Sequence, residues 1–64
     1  MAPREPGMVE LTAEARHTAD RVALYERKLY AGRGDERRLA ELQREAAGAA
    51  ERLALARTRA ADRS

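Results

Sequence analysis

The chain has no cysteine, no tryptophan and no phenylalanine, and only two prolines and one histidine in 64 residues. Without cysteine no disulfide can staple a small fold, and a lone histidine offers no His/Cys cluster for a structural zinc. A chain of this length hides only about 60% of the surface its unfolded form exposes. Its stability must therefore come from efficient helix packing or from self-association. Both prolines, Pro3 and Pro6, fall beside Gly7 in the first seven residues. That density opposes helix, so 1–7 reads as a flexible tail. No apolar run is long enough to span a bilayer, and none follows Arg4 in the tail, which leads us to expect a soluble, cytoplasmic protein without membrane contact. Charge of one sign is scarce too: 13 basic residues face 11 acidic ones, a net of +2. Electrostatics alone therefore do not demand nucleic acid.

What is present is Ala, Arg, Glu and Leu, with 38% of residues charged, the composition of long helices and coiled coils. Much of the 44% hydrophobic content is Ala, which implies a thin, close-packed core. Full disorder is the competing reading of so polar a chain.

From Met8 the positions Met8, Leu11, Ala15, Thr18, Val22, Tyr25 and Leu29 recur at alternating spacings of three and four, a heptad seam with Thr18 as its one polar member. The pattern stops at Ala31-Gly32-Arg33-Gly34-Asp35, where Gly32 can take the left-handed conformation that closes a helix and Asp35 can cap the next. Leu39, Leu42, Ala46, Ala49, Leu53, Ala56 and Ala60 then repeat the same spacing. The expectation is all-α: a helix over about 8–31, a turn at 32–35, a helix over about 36–61 and a frayed end at 62–64. Two such helices with a short connection lie antiparallel, as a coiled-coil-like hairpin.

Folding at Gly34 sets Leu29 with Leu39, Tyr25 with Leu42, Val22 with Ala46, Thr18 with Ala49, Ala15 with Leu53, Leu11 with Ala56 and Met8 with Ala60. Away from the turn, most layers oppose a larger residue to Ala, as interdigitation requires. In the same register Arg21 meets Glu45 and Glu14 meets Arg52 on one flank, while Lys28 and Arg38 set like charges together. The other flank differs. Ala40, Ala47, Ala54 and Ala61 stand at seven-residue spacing with Ala50 beside them, and the first helix adds Val9, Ala19, Ala23 and Tyr30. Apolar surface in excess of what one seam hides marks a contact site. The plainer reading is that Ala is a good helix former on an exposed face.

Candidate chemistry is sparse. Glu14 and His17 have the Glu-x-x-His spacing of di-iron bundles, but no second such motif exists and both fall on the charged side, so no metal or other cofactor is expected. The only serine is Ser64, no histidine is placed to activate Thr12, Thr18 or Thr58, and Gly32 and Gly34 match no phosphate-binding loop. A two-helix hairpin lacks a pocket of catalytic size. We therefore expect neither an enzyme nor a small-molecule substrate. Arg33-Gly34-Asp35 is the tripeptide of integrin ligands, but turn chemistry accounts for it. Gly48 is a mid-helix oddity that either admits a close neighbour or is neutral, and Leu24 and Leu55 are off the seam.

In length and layout alone the chain resembles two kinds of small hairpin, the ribosomal large-subunit hairpin protein that sits on RNA and the plasmid copy-control RNA-binding hairpin that dimerises into a four-helix bundle. No motif aligns with either, so no residue role carries over. The leading expectation is a non-catalytic interaction module that pairs into a four-helix bundle or docks on a helical protein through Val9, Ala19, Ala23, Tyr30, Ala40, Ala47, Ala50, Ala54 and Ala61. The alternative is an RNA-binding hairpin using Arg27, Lys28, Arg33, Arg37 and Arg38 around the turn. Steep salt dependence would mark the second and not the first.

Overall fold

Helix formation starts at a glycine with no side chain to cap with. Gly7 is extended (φ −73°, ψ 167°), its carbonyl accepts the Leu11 N–H at 3.0 Å, and its own N–H donates to Glu10 Oε2 at 3.3 Å. The carboxylate three residues on thus supplies half of a capping box. In this computed structural model, which describes residues 7–63, the helix α1 runs Met8–Tyr30 and a second, α2, runs Glu36–Arg63. The tail expected at 1–7 lies outside the described residues except for Gly7, which is the N-cap. Glu10 in the first turn of α1 and Arg27 and Lys28 in its last complement the helix dipole. The second helix passes the expected end at 61, because Ala61, Asp62 and Arg63 include no Gly or Pro to stop it; Ser64 is outside the described residues.

The stop after Tyr30 is a Schellman closure. The Gly32 N–H donates to Leu29 O at 3.0 Å and the Arg33 N–H to Lys28 O at 2.8 Å, with Gly32 at φ +77°, a left-handed conformation that L side chains adopt only under strain. Asp35 then opens α2: its Oδ1 accepts the Arg37 N–H at 3.0 Å and its carbonyl accepts Leu39 N–H at 3.2 Å. A further bond locks the turn onto the seam. The Asp35 N–H donates to the Tyr25 hydroxyl at 2.7 Å, so the ring one turn back in α1 holds the first residue of the return path. Gly34, at φ +133°, passes so near that a Cβ there would sit 3.1 Å from Leu29 Cδ2 and 3.3 Å from Tyr25 Cζ.

The two helices pack against each other as an all-α antiparallel hairpin. Leu11, Leu42, Ala49 and Leu53 are buried, and Ala15, Thr18, Val22, Tyr25, Leu29, Leu39, Ala46 and Ala56 are half-buried. These are the two heptad seams. Burial fades at the open end, where Met8 and Ala60, expected as the last layer, are both exposed. The polar seam member is satisfied locally: Thr18 Oγ1 lies 2.9 Å from Glu14 O and 3.1 Å from Ala15 O. Its hydroxyl therefore leaves no unpaired polar group beside Ala49, a residue with no exposed surface.

Leu42, 4% exposed, has the deepest burial among the large side chains of the core. Leu42→Ala is expected to destabilise by about 2–4 kcal/mol in urea denaturation; a change under about 0.5 kcal/mol would rule out this seam. The glycines separate in sign. Gly34→Ala should destabilise, because φ +133° and the contacts at 3.1 and 3.3 Å leave no room. Gly48→Ala should stabilise by up to about 1 kcal/mol, since its Cβ would meet only the tip of Arg52, at 3.4 Å. Equal effects of the two substitutions would contradict the turn geometry.

Candidate interaction faces

Two cross-helix ion pairs fix which side of the hairpin is which. Arg21 Nη1 donates to Glu45 Oε2 at 3.2 Å, and Arg52 Nε donates to Glu14 Oε1 at 3.0 Å with its Nη2 on the same oxygen. Both pairs were legible from the register. All four side chains are more than a third exposed, so each pair contributes less than about 1 kcal/mol. Glu14 is thereby engaged by Arg52, and among the described residues no three His, Cys, Asp or Glu side chains gather as metal ligands. Gly48 lies beside the Arg52 guanidinium, on this charged side.

The third layer of the rail is the exception that the register foretold. Lys28 and Arg38 stand together with no acid between them, and Arg38 turns back to Glu41 on its own helix, Nη1 to Oε2 at 3.0 Å. The two cations, with Arg21, rim a shallow groove of about 260 Å³ floored by Leu24, Tyr25 and Leu42. Leu24 therefore is not an isolated surface leucine, as its off-seam position suggests, although it remains 58% exposed. Its heptad position, next to the charged flank and one residue before Tyr25, was the available signal.

Around the turn, Arg27, Lys28, Arg33, Arg37 and Arg38 are all exposed at one end of the rod. Glu26, Asp35, Glu36 and Glu41 share that end, and the Asp35 carboxylate is turned inward to cap α2. The five basic residues are thus brought together, but interleaved with acids.

The opposite side carries the other set. With the ion pairs occupying one flank, the heptad places Val9, Ala19, Ala23 and Tyr30 of α1 and Ala40, Ala47, Ala50, Ala54 and Ala61 of α2 on the flank away from them. Ala40 is half-buried near the turn, and the other eight are exposed. Val9 and Tyr30 are 83% and 92% exposed, the two highest values among the large hydrophobic side chains outside the core. Thr12, Arg16, Glu26, Glu36, Gln43 and Arg57 are the polar side chains at the same heptad positions. No helix among the described residues is long and apolar enough to cross a membrane.

Compared with protein-family models, with curated proteins and with solved structures, the chain has no match in any of the three. The faces themselves must carry the functional reading.

The basic tip can be tested directly. With acids interleaved and a net charge of +2, binding to a single-stranded RNA oligomer should be weaker than about 1 µM at physiological salt. Replacing Arg33, Arg37 and Arg38 with Gln should remove it, as followed by fluorescence anisotropy. Submicromolar binding that the triple variant retains would show that RNA is held elsewhere.

Proposed function

We propose that this chain is a small, non-catalytic interaction module: a helical hairpin that joins another helical surface, in the first instance its own copy in a four-helix bundle, through the Ala-rich flank. One observation carries the reading. The flank opposite the ion pairs presents Val9 and Tyr30 almost fully to solvent near the two ends of α1, beside the Ala40, Ala47, Ala54 and Ala61 column of α2, while among the described residues four apolar side chains are buried within the hairpin. A seam this thin hides less apolar surface than the chain possesses, and covering the second face would remove the remainder from water.

The chemistry of the face suits a helix. Alanine projects one methyl group, so a neighbouring helix can approach closely and exchange contacts over its whole length, as small residues allow at tight helix crossings. A long charged side chain on the column would hold the partner away and bury its charge without a counterion. The neighbouring outer positions Arg44 and Glu51 are exposed and charged, which limits the contact to one side.

The double substitution Ala47→Glu, Ala54→Glu is expected to convert an associated hairpin into a monomer in sedimentation equilibrium and to lower its helicity at low concentration. The matched control, Arg44→Ala with Glu51→Ala, should leave association intact. A wild type that sediments as a folded monomer at high micromolar concentration, or a double variant that associates as well as the wild type, would refute self-association through this flank. Insensitivity of association to salt separates apolar packing from phosphate binding at the tip, which should weaken steeply as salt rises.

A further inference from the structure

Resting on the reading that this flank is the contact surface, we infer that its occupant is a second copy turned end for end, so that each helix lies antiparallel to its own counterpart and Val9 of one copy meets Tyr30 of the other. The placement of the two large exposed side chains leads there. Val9 and Tyr30 lie at opposite ends of one column of α1, 21 residues apart, and Ala40 and Ala61 bound the α2 column over the same 21 residues. At a rise of about 1.5 Å per residue both columns are about 31 Å long. The ion pairs Arg21–Glu45 and Glu14–Arg52 set the register between the helices, and in it the α2 column lies about four residues, about 6 Å, nearer the open end than the α1 column. A two-fold axis across the helices through the middle of the α1 column therefore passes α2 near Ala47. It lays Ala40 against Ala54 of the second copy and Ala47 near its own symmetry mate. It also brings each Tyr30 ring, otherwise 92% exposed, over a Val9 side chain, otherwise 83% exposed. Such an interface is isologous and closes, so the assembly stops at two.

Charge distinguishes this arrangement from its main competitor. If the axis ran along the hairpin instead, α1 would lie over α2 of the second copy, and the ion-pair register would set Arg16 over Ala50 and Glu26 over Ala40, each without a counter-charge. With the axis across the helices, Arg16 comes within reach of Glu26 of the second copy and Arg57 within reach of Glu36. Opposite charges brought together fix the register of an interface, and charges closed in without a counterpart oppose it. The area is adequate too. A face about 31 Å long and two helix widths, about 20 Å, across buries about 600 Å² per copy, which reaches the lower bound of stable specific interfaces. A partner of other chemistry would need to mirror the same spacing of apolar ends and central charges, which the second copy supplies by symmetry.

Cysteine cross-linking of the full chain, which has no native thiol to interfere, tests the arrangement. Val9 and Tyr30 are so exposed that substitution there leaves the hairpin core untouched. A mixture of the single variants Val9→Cys and Tyr30→Cys, oxidised under mild conditions, should give mixed disulfide dimers as the main product, whereas each variant alone should give only traces, its thiols being at opposite ends of the dimer. Charge exchange provides a second reading. Arg16→Glu and Glu26→Arg should each weaken dimerisation in sedimentation equilibrium, and the two together should restore it, an effect that cannot arise within one chain because the positions lie about 15 Å apart along one helix. A wild type that dimerises while the cysteine mixture stays unlinked, or while single variants link to themselves, overturns the arrangement and leaves the proposed function standing. A monomeric wild type overturns both. Failure of the double charge variant to recover also overturns the arrangement.

Discussion

The connection from Gly32 to Asp35 sets the register on which every other contact depends. Two helices with heptad seams can slide past each other in steps of a turn, and alanine layers alone distinguish such steps weakly. Here Gly32 closes α1 in the left-handed conformation, Asp35 caps α2, and the Tyr25 hydroxyl holds the Asp35 N–H at 2.7 Å, so the return path begins at one fixed height beside α1. From that height the large-against-small alternation of the seam, the two cross-helix ion pairs and the opposite alanine flank follow in order. The ion pairs report the register more than they stabilise it, since exposed pairs contribute little. The apolar layers do the stabilising, most of all near Leu42, Ala49 and Leu53.

Much of this was legible in the sequence because one period runs through both helices. The seams, the turn, the left-handed Gly32, the Asp35 cap and both cross-helix pairs could be named from spacing and turn chemistry. Other features were not legible because they depend on where a side chain ends and not on where it starts. The Tyr25 ring could be assigned to the seam, but its hydroxyl reaching the backbone of Asp35 requires the turn in three dimensions. The unpaired layer of Lys28 and Arg38 could be foreseen, but not that Arg38 would resolve it by turning to Glu41 and leaving a groove over Leu24 and Leu42. The α2 helix continues to Arg63, past the expected end near 61, because the Ala/Arg run goes on there with no Gly or Pro to stop it. Met8 and Ala60 fit the period but sit where the helices have no further layer to close over them.

The candidate face shows the reverse relation. Its residues could be grouped by period and set on the side away from the ion pairs, yet only the geometry shows that Val9 and Tyr30 stand nearly bare beside the alanine column. Under the function we propose, the thin inner seam and the apolar outer flank are two halves of one core, the inner half specifying the fold and the outer half a neighbour. Charged residues on the remaining sides would then limit that neighbour to one approach, as they do in helical assemblies that must not grow into fibres.

If the outer flank completes the core, folding and association are linked, and stability depends on concentration through mass action. Thermal unfolding followed by circular dichroism at concentrations from about 1 µM to about 1 mM addresses this most directly. The midpoint is expected to rise steadily with concentration across that range. A cooperative transition whose midpoint stays the same at every concentration would show that the two-helix seam suffices alone, and would contradict the central claim.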